Sequence, residues 1–73
     1  MTVCQLTFQN PKGIIHALKG PEELVARLHE LGLHPGLEVT FKGRAPFSGP
    51  LLLQLETTLF ALREDEAACV EII

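Results

Sequence analysis

Residues 21–42 have the sequence PEELVARLHELGLHPGLEVTFK, in which the spacing of the apolar residues changes from a helical period to a strand period. Three leucines at i, i+4 and i+7 follow Pro21, a residue suited to the first position of a helix, and Gly32 is suited to a left-handed C-cap. A Pro-Gly pair then predicts a type II turn. Alternating apolar and polar side chains follow. The stretch therefore predicts a helix over 21–31 and a half-buried strand over 37–42.

The flanking segments contain short apolar runs separated by turn-forming residues. Residues 1–12 form a weakly alternating lead-in, and residues 14–18 lie between two glycines and begin with β-branched residues, which predicts a first strand. A proline-rich loop spans 44–50. Further strands are predicted at 51–55, 59–62 and 69–73, with a single helical turn at 63–67. The pattern predicts one domain over 1–73, mainly β: a small, partly open barrel of about five strands, with one α-helix inserted after the first strand.

Size and charge exclude several classes of function. A domain of 73 residues buries only about 60–65% of its unfolded surface, which leaves little room for an enclosed active site. Six Lys and Arg against nine Asp and Glu, with no Trp or Tyr, argue against nucleic-acid binding. No apolar run approaches the about 20 residues of a membrane span, and residues 1–8 lack the pattern of a signal peptide. We therefore expect a cytoplasmic location and no direct membrane insertion.

Groups for nucleophilic or acid–base catalysis are few and separated in the sequence. Ser48, the only serine, lies in the proline-rich loop and has no histidine nearby in sequence. Residues 64–66 are three consecutive acids, which predicts a solvated turn, and Glu23 and Arg27 are spaced to pair on the exposed side of the helix. We expect no enzymatic activity.

The residues that could bind a metal ion are histidines, one glutamate and two cysteines. His29, Glu30 and His34 are the candidates for a weak Fe or Zn site, although the helix break between the two histidines predicts that they do not form a pair on one helix face. The alternative interpretation is that the histidines are structural or solvent-exposed. Cys4 and Cys69 are expected to be reduced thiols in or near the core; a disulfide between them would require an oxidising compartment. No cofactor is predicted with certainty.

Two apolar residues lie in or beside turns rather than on a periodic face. These are Leu33 and Phe47. Each is a candidate for contact with another protein, and each could equally fill one end of the barrel.

Three segments in order resemble the FeoA family. They are RLHELGLHPG at 27–36, APFSGPL at 45–51, and LFALR at 59–63 followed by EA at 66–67. The resemblance extends over nearly the whole chain from residue 13. One departure is that Ser48-Gly49 stands where the family pattern has Gly-Asp.

The resemblance implies an SH3-like barrel and a non-enzymatic accessory role in ferrous iron transport, beside a membrane ferrous iron permease of FeoB type with a cytosolic G-protein domain. Similar domains also occur at the C-terminal end of iron- or manganese-dependent repressors. The alternative function is therefore a metal-binding or metal-sensing regulatory domain that uses His, Glu or Cys ligands. The expected partner contacts lie at the helix end or in the proline-rich loop: Leu31, Leu33, Pro35, Ala45, Pro46, Phe47 and Pro50.

Overall fold

The computed structural model describes all 73 residues and contains one five-stranded antiparallel sheet, two helices and a short 3₁₀ turn. The strands are β1 (Lys12–Leu18), β2 (Glu38–Arg44), β3 (Leu51–Leu55), β4 (Thr58–Leu62) and β5 (Val70–Ile72). The helices are α1 (Glu22–Glu30) and α2 (Glu64–Ala67), and the 3₁₀ turn is Val3–Gln5. The spatial order is β4-β3-β2-β1-β5. The predicted mainly β fold with one main helix after the first strand is confirmed.

One cluster of 15 buried hydrophobic residues forms the core. In β3 the first, third and fifth residues are all buried leucines, as the period of a strand requires. The adjacent strand β2 contributes Val39 and Phe41, and α1 contributes Leu28, the only buried residue of that helix. Burial of each such side chain stabilises the fold by about 1.5–3 kcal/mol.

Irregular pairing curves the sheet. The register between β2 and β3 shifts between Phe41 and Gly43, and the register between β1 and β5 shifts between Ile15 and Ala17. Such irregularities bend a strand and increase its twist. The sheet therefore wraps around the core but stays open, with β4 and β5 at its two edges.

The N-terminal segment differs from the weak alternation of its sequence. Thr2 caps the 3₁₀ turn: its hydroxyl accepts a bond from the N–H of Cys4, while its own N–H donates to the side chain of Gln5. Val3 and Leu6 are both buried. A three-residue spacing brings side chains to one face in a 3₁₀ turn, whereas it would place them on opposite faces of a strand.

Two expectations about charged residues are wrong. Arg27 does not pair with Glu23; its Nε lies 3.1 Å from Oε2 of Glu66 in α2. Glu66 is not in a solvated turn but is only 4% exposed, and its Oε1 accepts a 2.9 Å bond from the N–H of Arg63. Glu66 is the third residue of α2, a position from which a carboxylate can reach back to cap the start of the helix. This one side chain therefore joins the two helices.

Candidate functional site

The end of α1 folds back on itself in a turn that we name the helix-end turn, residues 31–36. Gly32 has φ +100°, in the region that favours glycine. The N–H of Gly32 donates to the carbonyl of His29 at 3.0 Å, and the N–H of Leu33 donates to the carbonyl of Leu28 at 3.1 Å. These two bonds form a Schellman motif, which satisfies carbonyls that the helix end would otherwise leave free.

Leu33 ends the Schellman motif as a buried residue, so it is not on the surface with the other expected partner contacts. Leu33 and Leu28 are both 0% exposed, in agreement with the hydrophobic contact that commonly accompanies this motif. Leu33 is therefore a core residue that fills the space under the helix end. Leu31, which is 45% exposed, and Pro35 remain on the surface of the same turn.

The same turn brings the two histidines together. The ring centroids of His29 and His34 are 5.8 Å apart with an interplanar angle of 39°, and both residues are exposed. His34 lies outside α1, so the two histidines do not share a helix face; instead the chain reverses at Gly32, which returns His34 to the side of His29. Glu30 does not complete a set of ligands, because no group of three or more His, Cys, Asp or Glu side chains is arranged to hold a metal ion.

The proline-rich loop between β2 and β3 closes on itself. The N–H of Ala45 donates to the carbonyl of Pro50 at 3.0 Å, and the N–H of Gly49 donates to the carbonyl of Ala45 at 3.2 Å. At the tip, Phe47 and Ser48 have φ values of 61° and 57°, in the left-handed region. Phe47 is fully exposed, with a relative accessibility of 101%.

An open apolar depression lies against the base of this loop. Ala45 and Pro50 belong to its wall, together with Leu52 of β3 and Ala61 of β4, which are directly opposite each other in the sheet. Leu52 is 39% exposed. We name Ala45, Pro46, Phe47, Pro50, Leu52 and Ala61 the proline-loop surface.

Leu52 and Ala61 were absent from the sequence-based set of contact residues. The signal for Leu52 is the run of three leucines at 51–53, because successive residues of a strand face opposite sides and one of the three must point outward. Nothing in the sequence alone indicates that Ala61 lies beside it.

The outer surface of the sheet changes character next to this apolar area. A second depression is lined only by polar and charged side chains: Lys12, Glu38, Thr40, Lys42, Gln54 and Glu56. Arg44 lies at the wall of the apolar depression. The proline-loop surface is thus an apolar area with a charged rim, which is the general arrangement of protein–protein contact surfaces.

The two cysteines lie in or near the core, as expected, and both are free thiols. The Sγ of Cys4 lies 3.8 Å from the carbonyl oxygen of Glu64, and the Sγ of Cys69 lies 3.4 Å from that of Asp65. Burial raises the pKa of the Cys69 thiol, and the negative charge of Asp65 raises it further. Cys69 is therefore protonated at neutral pH and is poorly suited to nucleophilic or metal-binding chemistry.

Neither helix has the length and hydropathy required to cross a bilayer.

Comparison with known proteins found a matching family model. The sequence model of the FeoA domain matches residues 9–73. No curated protein matches the sequence. Among the solved structures, Stenotrophomonas maltophilia FeoA complexed with zinc is 31% identical to this chain, with a TM-score of 0.84. That protein is described as a prokaryotic SH3 domain protein. That match covers 100% of this chain and 89% of the other.

Two more solved structures extend the comparison. Iron(II) transport protein A from Clostridium thermocellum is 26% identical with a TM-score of 0.88, over 99% of this chain and 44% of the other. ScaR with bound Cd²⁺ is 20% identical with a TM-score of 0.75, over 94% of this chain and 34% of the other, and shows a shared fold alone. These similarities confirm the SH3-like fold that was predicted from the sequence.

Proposed function

The chain belongs to the FeoA family, and we propose that it is a small, cytoplasmic, non-enzymatic accessory protein of ferrous iron transport. In this proposal it acts by binding the cytosolic G-domain region of a membrane ferrous iron permease of FeoB type. The observation that carries the proposal is the family match over residues 9–73, since this family is linked to ferrous iron transport. The name of the Clostridium thermocellum relative, iron(II) transport protein A, supports the same link.

We assign the contact with the permease to the proline-loop surface. Phe47 presents a whole aromatic side chain to solvent, and large aromatic side chains are frequent anchors in protein–protein interfaces. The loop is closed by its own backbone hydrogen bonds, so the backbone that carries Phe47 loses little conformational entropy on binding. Leu52 and Ala61 provide adjacent apolar area that a partner could cover.

The small size of the chain limits the strength of this contact. A stable interface of standard size buries about 800 Å² on each partner, roughly a sixth of the 4540 Å² accessible surface of this chain. The proline-loop surface comprises only six residues. We therefore expect a weak, transient complex rather than a stable one.

The proposal is tested by titrating the chain against the purified cytosolic region of the permease. We expect saturable binding, and we expect Phe47→Ala to weaken it at least about tenfold, as the loss of an anchor residue does. Leu31→Ala is the matched control, because Leu31 is also an exposed apolar residue but lies in the helix-end turn, outside the proline-loop surface. Absence of binding at about 100 μM would contradict the proposal, whereas a loss in Leu31→Ala alone would move the contact to the helix-end turn.

A further inference from the structure

The C-terminal end of α1 presents two imidazoles side by side on the surface. We propose that His29 and His34 form a two-histidine site for one divalent transition metal ion of the Zn²⁺ class, with water completing the coordination. The inference rests on the geometry of the helix-end turn and does not depend on the proposed contact with the permease.

The distance between the rings fits one shared ion. Zinc binds an imidazole nitrogen at about 2.0–2.1 Å, which places the ring centroid about 3.2 Å from the metal. Two imidazoles on one zinc then have centroids about 5.2 Å apart at a tetrahedral angle, and about 6 Å apart when the angle opens to about 140°. The observed separation of 5.8 Å lies between these values. Both histidines are exposed, so water can complete the coordination of a shared ion.

The backbone holds the two residues in place before any metal binds. His29 lies in the last turn of α1, and its carbonyl accepts the Gly32 N–H of the Schellman motif. His34 follows directly after Leu33, which is 0% exposed and anchors the returning chain in the core. Since the fold fixes the backbone positions of both histidines, the second imidazole binds intramolecularly, at a high effective concentration.

The local charges favour a cation at this position. A helix carries a partial negative charge at its C-terminal end, and the carboxylate of Glu30 adds to it. The nearest basic side chain in the helix, Arg27, has its Nε 3.1 Å from Glu66, so its charge is partly compensated. Imidazole ligands suit zinc, copper, nickel and iron, whereas calcium and magnesium prefer oxygen ligands.

The test is calorimetric titration of the reduced full-length chain with zinc chloride. We expect one zinc per chain, and we expect His29→Gln and His34→Gln each to weaken binding at least about tenfold, because either change removes the chelate. His16→Gln is the matched control: His16 is the remaining histidine, is exposed on β1, and should leave the affinity unchanged. NMR spectra of the ring C–H groups should show zinc-dependent shifts for the paired histidines and none for His16.

Several results would overturn the site. They are unchanged zinc affinity in either His29→Gln or His34→Gln, loss of binding only in Cys4→Ser, a stoichiometry of one zinc per two chains, or no binding at millimolar zinc. The two histidines are exposed, so both variants should keep the wild-type circular dichroism spectrum and midpoint of thermal unfolding. A change in affinity can then be attributed to the lost ligand.

Discussion

The helix-end turn and the proline-rich loop are similar in sequence, yet they place their apolar residues differently. Each contains proline, glycine and one large apolar residue that belongs to no periodic pattern. Leu33 in the helix-end turn is 0% exposed, whereas Phe47 in the proline-rich loop is 101% exposed. The hydrogen bonds account for the difference: the first turn bonds back to the carbonyls of α1, and the second bonds to itself. An apolar residue after a helix C-cap is thus drawn inward by the Schellman motif, while a self-contained loop leaves its apolar residue available to a partner.

The largest expected effect is on stability in the helix-end turn. Leu33→Ala should lower the free energy of unfolding by about 2–4 kcal/mol, because it removes a fully buried side chain and leaves a cavity. The matched change Phe47→Ala should alter it by no more than about 0.5 kcal/mol, since no packing is lost. Urea denaturation of both variants measures the difference. Equal destabilisation by the two substitutions would show that the contrast between the turns is false.

The next effect concerns Glu66, the residue that joins α1 to α2. Glu66→Ala should cost about 2–3 kcal/mol, because it removes the cap on the N–H of Arg63 together with the ion pair to Arg27. Glu66→Gln should cost less, since the amide oxygen can still accept the capping bond. Urea denaturation of the two variants tests this order. If the Gln variant is as unstable as the Ala variant, the stabilisation comes from the negative charge of Glu66 rather than from its capping bond to the N–H of Arg63.

The third effect tests whether backbone conformation sets the path of the helix-end turn. Gly32→Ala should cost about 1 kcal/mol, because the residue has φ +100° while no atom lies within 4 Å of the added Cβ. The same substitution should weaken any zinc binding by His29 and His34, since it strains the turn that brings them together. Thermal unfolding and zinc titration of this variant test the two effects. Wild-type values in both measurements would contradict the role given to Gly32.

The smallest effect lies in the proline-rich loop and acts in the opposite direction. Ser48 has φ 57°, a conformation that costs an L-residue about 1 kcal/mol, so Ser48→Gly should raise the free energy of unfolding by about 0.5 kcal/mol. Glycine is also the residue that the FeoA pattern has at this position. The second departure from the FeoA pattern, Gly49 in place of Asp, has a steric reason: a Cβ at Gly49 would lie 2.7 Å from that of Ala45. Destabilisation by Ser48→Gly, measured by urea denaturation, would contradict this account of the loop.

Much of the fold could be predicted because its signals are local. The change of hydrophobic period within residues 21–42 marks the main helix and the strand that follows it, and the apolar runs mark β3 and β4. The burial of Leu33 was also encoded locally, since an apolar residue directly after a C-cap glycine is part of the Schellman signature.

The remaining features depend on contacts between distant parts of the chain. The pairing of Arg27 with Glu66 joins two helices that are separated by three strands, so the i, i+4 rule favoured the wrong partner for Arg27. Likewise, Ala61 becomes part of the proline-loop surface only because β4 pairs with β3. Local periodicity carries no information about such register, which is set by how the whole sheet folds around its core.

An NMR titration tests whether the proline-loop surface contacts the permease. The isotope-labelled chain is mixed with increasing amounts of the cytosolic region of the permease, and the backbone amide shifts are followed. We predict shifts concentrated at residues 43–52 and around 61, with residues 28–36 unchanged. Shifts concentrated at residues 28–36, with the proline-rich loop unchanged, would contradict it.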